Sequence, residues 1–114
     1  MKKLALLGAT GALALVPALH ATTASAAVAA DCGARPGGGW VYNAKTLDSS
    51  PVRTGPYEAC TKKKTYAAGK SVALACWLTN SYGNLWYKEN SSNLYIYGGH
   101  FSSSVKSHVE PCEG

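Results

Sequence analysis

Between Ser71 and Gly99 the chain alternates apolar and polar residues in short runs, and each run ends in a cluster of Asn, Ser and Gly. Val72, Leu74, Cys76 and Leu78 alternate with Ser71, Ala73, Ala75 and Trp77, the period of two of a strand that turns one set toward a core and the other away. This spacing places Trp77 opposite the aliphatic set. Asn80 to Asn84 supplies a turn, since Asn and Gly tolerate the positive φ that tight hairpins demand. Leu85 to Lys88 returns antiparallel, Asn90 to Asn93 turns again, and Leu94 to Tyr97 forms the next strand before Gly98 and Gly99 break it. There Leu94 and Ile96 share one face, and Tyr95 and Tyr97 the other. A further short strand is expected at Trp40-Val41-Tyr42. No apolar stripe of helical period accompanies these runs, so the pattern predicts an all-β fold of successive short hairpins, a small barrel or meander.

The amino-terminal residues set the compartment. Lys2 and Lys3 precede an uncharged apolar run from Leu4 to Leu19, followed by small residues including Ala24-Ser25-Ala26. This is the pattern of a secretory signal peptide, 1–26, cleaved after Ala26, with Ala29 or Ala30 as the alternative. The apolar run is shorter than the roughly 20 residues of a membrane span. The expectation is a secreted chain, extracellular or associated with the cell wall, with no stable membrane insertion after cleavage. The remaining residues suffice for one compact monomeric domain with a thin core. All four cysteines, Cys32, Cys60, Cys76 and Cys112, lie beyond the leader. In a small exported protein they read as two disulfides. No Cys-x-x-Cys spacing occurs, and His100 and His108 do not complete a zinc finger, so neither a metal nor a cofactor is expected. Three pairings are open, of which Cys60 with Cys76 and Cys32 with Cys112 are favoured.

With Lys2 and Lys3 in the leader, nine of the 11 Lys/Arg remain against six Asp/Glu, a mildly basic balance centred on Lys62, Lys63 and Lys64. Such a run reads as a solvated loop, or else as an attachment point for an anionic envelope polymer. Nucleic acid is not an expected partner, because no broad basic surface with interleaved aromatics is present. Glu58, His100 and Arg53 are the residue types of a small secreted ribonuclease, but no family pattern surrounds them. No nucleophile elbow, His-Glu-x-x-His or phosphate loop occurs. The expectation is a chain that binds rather than catalyses.

Four motifs in order resemble those of bacterial SH3-like domains. Val52-Arg53-Thr54-Gly55-Pro56 looks like the opening "V-R-S-G-P", Gly69-Lys70 and the strand after it the "K-G-T-x-V" step, Trp86-Tyr87-Lys88 the "W-Y-K-V" strand, and Tyr95-Ile96-Tyr97 the "G-W-V/I" strand. Three positions depart from it: Glu89 stands in place of an apolar core residue, Tyr95 in place of tryptophan, and Leu94 in place of glycine. The resemblance implies a partly open barrel of about five strands over 51–101, preceded by a Gly/Ala-rich arm and lead-in over 27–50 and followed by an extension over 102–114. In that extension Val105 and Val109 are expected to pack back on the barrel. It further implies a non-catalytic module that binds a cell-wall peptide, a polysaccharide or another envelope ligand. Arg53, Tyr57, Trp77, Tyr95 and Tyr97 are the candidate ligand residues, Tyr57 foremost because it follows the loop motif. Trp86 and Leu85 are assigned to the core. A secreted protease inhibitor or other binder of extracellular proteins is the alternative, with the loop at Arg53-Thr54-Gly55-Pro56 or Lys62 to Lys64 as its bait.

Overall fold

The computed structural model describes residues 31–33 and 40–113. The leader expected over 1–26 and the glycine-rich part of the arm, 34–39, lie outside the described residues. Six strands form one antiparallel sheet: β1 (Tyr42–Lys45), β2 (Ser50–Arg53), β3 (Lys62–Tyr66), β4 (Ser71–Thr79), β5 (Leu85–Glu89) and β6 (Tyr95–Tyr97). Their spatial order is β1-β4-β5-β6-β2-β3, an open sheet with β1 and β3 at its edges. The expected count of about five strands is exceeded because the lead-in contributes β1. Two short 3-10 turns, Gly98–His100 and Ser103–His108, follow β6. No helix among the described residues is long and apolar enough to cross a membrane.

A bulge in β4 decides which side chains share a face. Leu74 lies opposite Glu89 and Cys76 opposite Lys88, so Ala75 is the extra residue. An inserted residue shifts the alternation by one, sending every later side chain to the other face. Trp77, expected opposite the aliphatic set, therefore lies across from Tyr87 and packs against the main core, with Lys106 Nζ 4.2 Å above its ring. That core gathers Ala44, Val52, Val72, Leu74, Tyr87 and Ile96 from five strands. Phe101, Val105 and Val109 close over it from the carboxy-terminal segment, as the extension was expected to do. The cover is held at the edge of β4, where Trp77 N–H donates to Glu110 O and Cys112 N–H to Trp77 O.

The opposite face is also covered. Arg53 ends β2 beside Tyr95, the first residue of β6, and the chain then doubles back across this face toward the β4–β5 turn. Asn80 Nδ2 donates to Pro56 O at 2.8 Å, and Tyr57 Oη lies 2.9 Å from Ser81 Oγ. Because β2 is separated from β5 by β6, a loop that reaches this turn must pass over both strands. Trp86, Lys88 and Tyr95 are buried on this side together with Cys76, Tyr57 and Cys60. Tyr95 is thus a core residue and not a solvent-facing ligand group.

The disulfides join Cys32 to Cys60 and Cys76 to Cys112, correcting the favoured pairing. The reason is backbone placement: Gly33 N–H donates to Thr54 O, which lays the arm on the β2–β3 loop, while the bonds at Trp77 bring Cys112 alongside Cys76. Closing loops with sequence separations of 28 and 36 residues stabilises the fold by about 3.5–4 kcal/mol each in the chain-entropy account. The crossing is tight at Gly55, where a Cβ would stand 2.5 Å from Cys32 Cα and 2.7 Å from Cys60 Sγ.

Lys62 to Lys64 form an edge strand and not a loop. A lysine run leaves backbone pairing intact, and charge on an edge strand discourages pairing with another chain. Lys63 is the extra residue where Val52 opposes Lys64 and Arg53 opposes Lys62. Tyr66 on β3 donates its hydroxyl proton to Glu89 Oε2 on β5, although β6 and β2 lie between these strands in the sheet order, and Lys64 Nζ lies 3.7 Å from Glu89 Oε1. This reach requires the sheet to curl. It also gives Glu89, the departure from an apolar position, a polar partner set completed by Ser92 Oγ at 3.1 Å.

Two measurements check this arrangement. Non-reducing peptide mapping should recover Cys32 linked to Cys60 and Cys76 to Cys112; a Cys60–Cys76 peptide would contradict the loop path. Burial, then the bond to Glu89, raises the Tyr66 pKa above the ordinary tyrosine value of 10.0, and burial alone raises that of Tyr87. The folded chain therefore favours both neutral phenols. Their stabilisation is complete below the unfolded tyrosine pKa of about 10 and is lost as pH rises through the higher folded values. The urea midpoint should fall between about pH 9 and 11, and Tyr66→Phe should reduce that fall; an identical pH dependence in the variant would contradict the assignment.

Candidate functional site

The loop that crosses the second face stops short of covering all of it. Between its tip and the far end of the sheet lies a cleft of about 840 Å³, within the usual size range of ligand sites. Tyr57, Glu58 and Ala59 of the loop form one wall, and Asn80, Tyr82 and Asn84 of the β4–β5 turn another. Ser49, Pro51 and Arg53 of β2 and its approach, Trp86 at the start of β5, Tyr97 at the end of β6, and His100 complete it.

The fold leads these side chains here by strand parity. Trp86 lies opposite Tyr97, and Tyr95 opposite Arg53, so all four project to the face away from the main core. Tyr57 is a pillar more than a contact surface: only 7 % exposed, it accepts from Ser81 N–H at 3.2 Å in addition to its contact with Ser81 Oγ. Asn80 holds the turn itself, its Oδ1 accepting from the N–H groups of Tyr82 and Asn84. This leaves Tyr82, 56 % exposed, and Tyr97, 41 % exposed, as the accessible aromatic rings of the cleft. Tyr82 packs edge-on to Tyr57, and Tyr97 edge-on to both Trp86 and His100.

The polar groups are balanced in charge. Arg53 spends one N–H on Cys60 O, from Nη1 at 3.1 Å, which fixes the guanidinium beneath the loop. A guanidinium carries five such donors. Glu58 is exposed on the opposite wall. His100 Nδ1 lies 2.7 Å from Asp48 Oδ1, so one imidazole nitrogen is already engaged. Trp86 is 4 % exposed, and its Nε1 finds no hydrogen-bond partner among the described residues. Among those residues no group of three or more His, Cys, Asp or Glu is placed to hold a metal ion.

Of the five candidate ligand residues, Arg53, Tyr57 and Tyr97 line the cleft, while Trp77 and Tyr95 do not. Trp77 is removed by the Ala75 bulge, and Tyr95 by the loop above it. Glu58 and His100, noted in the sequence only for their acid–base chemistry, share the cleft with Arg53. Trp86, assigned to the core, is both buried and part of the cleft lining. Sequence reasoning missed Tyr82 and Asn84. The available signal was an aromatic residue inside a turn otherwise made of Asn, Ser and Gly, where no strand face can bury it. No family model, no curated protein and no solved structure matches this chain.

Proposed function

We infer that the chain is an exported binding module of the SH3-like type whose cleft takes a cell-wall or other envelope ligand. The observation that carries this reading is the cleft itself, walled by the loop that follows Val52-Arg53-Thr54-Gly55-Pro56 and by the β4–β5 turn, with two accessible tyrosines over a buried tryptophan. Tyrosine and tryptophan offer flat apolar surface with a polar tip at low entropic cost on binding. The four family-like motifs supply β2, the turn into β4, β5 and β6, and it is the first and the last two that reach the cleft. The two disulfides are consistent with an extracellular location. The product of such a site is an interaction, and its residues position a ligand without a bond being made or broken.

Pull-down on purified cell walls tests the reading. The wild-type chain should be retained at physiological salt, and Tyr97→Ala or Tyr82→Ala should weaken retention by about three- to tenfold, the typical worth of one aromatic contact. Replacing Lys62, Lys63 and Lys64 together should change it much less, because these side chains lie outside the cleft. Retention that depends on the lysines and vanishes with salt would instead identify electrostatic adhesion at β3.

A further inference from the structure

We propose that the ligand of this cleft is a neutral glycan bearing an N-acetylated amino sugar, whose acetamido carbonyl accepts a hydrogen bond from Trp86 Nε1. The inference rests on the reading that the cleft is the ligand site, and it names the chemistry recognised there.

The first ground is the Trp86 indole. A buried N–H without an acceptor costs about 1–3 kcal/mol relative to a paired one, and in a residue that lines a cleft the natural source of the acceptor is the cleft's occupant. Nε1 is out of contact with water as well, so a neighbour must yield before a carbonyl reaches it. Tyr97, the exposed neighbour, is the one placed to do so. Its ring packs 5.7 Å from Trp86, is partly exposed, and occupies space that Gly99 leaves open, where a Cβ would stand 2.4 Å from Tyr97 Cε2.

The second ground is the balance of the remaining groups. Arg53 and Glu58 carry opposite charges, and His100 is already paired with Asp48. Such a lining has no excess of positive charge to hold a polyanion, and the lysines that could attract one are on β3. Sugar hydroxyls both donate and accept, so they satisfy a carboxylate on one wall and a guanidinium on the other, while the C–H faces of the rings stack on Tyr82 and Tyr97. An extended peptide added as a strand requires a free backbone edge. The free edge of β3 is not part of the cleft, which is lined from the loop, the turn and the face of the sheet.

Nitrogen-15 correlation spectra of the folded chain test the proposal directly, because Trp40, Trp77 and Trp86 each give a separate indole N–H signal. That of Trp86 is assigned through its proximity to the Tyr97 ring. The probes are the β-1,4-linked trimer of N-acetylglucosamine, its deacetylated counterpart, a sugar-free wall peptide and a soluble glycerol phosphate polymer. The acetylated trimer should shift the Trp86 indole signal and the backbone signals of Tyr82 and Tyr97 saturably, and the deacetylated trimer should bind about tenfold more weakly, as expected for loss of a buried hydrogen bond. Equal binding of the two trimers would overturn the acetamido assignment. Saturable shifts at Tyr82 and Tyr97 with the peptide or the phosphate polymer alone would overturn the glycan and leave the cleft as the ligand site. No shift in the cleft with any probe would overturn this inference and count against the cleft as well.

Discussion

A single curled sheet of short strands has two faces to keep from water, and among the described residues neither is covered by a helix long enough to hold itself in place. The carboxy-terminal segment closes one face with Phe101, Val105 and Val109, and the β2–β3 loop crosses the other above Tyr95. Each cover is fastened by a disulfide, Cys76–Cys112 for the first and Cys32–Cys60 for the second. Segments of irregular backbone contribute little cooperative hydrogen bonding of their own, so their position rests on these cross-links and on a few side-chain anchors. The anchors of the second cover are Tyr57 with Ser81, Asn80 with Pro56 O, and Arg53 with Cys60 O.

The cleft follows from the way the second cover is fixed. Anchored at the β4–β5 turn and at Cys60, the loop spans the middle of the face and leaves the end near Trp86 and Tyr97 open. The same contacts that stabilise the loop also orient the walls, so Glu58 and Tyr82 are held in place for the proposed ligand. Preorganisation of this kind lowers the entropic cost of binding. Tyr97, partly exposed, packs edge-on against Trp86, whose buried indole N–H has no partner among the described residues.

Much of the sheet was legible in the sequence. The alternation from Ser71 onward, the Asn and Gly clusters and the small residues at Gly98 and Gly99 located β4, β5, β6 and the turns between them, because strand period and turn chemistry are local properties. The faces were less legible. One inserted residue at Ala75 exchanges the environments of Trp77 and Leu78, and no local preference marks that alanine as the bulge. Tyr95 and Tyr97 share a strand face as the spacing required, yet one is buried and the other accessible, since the loop covers only part of that face. The disulfide pairing and the strand at Lys62 to Lys64 depend on which distant segments meet. Arg53, Tyr57 and Tyr97 were legible as cleft residues through the motifs around them. Tyr82 was not, because its exposure comes from the turn that carries it.

The clamped loop is the wall of the proposed binding site, and loss of its clamp is the sharpest test. Affinity for purified cell wall should be compared between the native chain and a Cys32→Ala/Cys60→Ala variant, with hydrogen exchange followed on both. Protection of β4 and β5 should persist, residues 54–60 should lose protection, and binding should fall by an order of magnitude or more, on the scale of the about 3.5 kcal/mol assigned to the cross-link. Undiminished binding by a variant whose loop has lost protection would contradict that role for the loop.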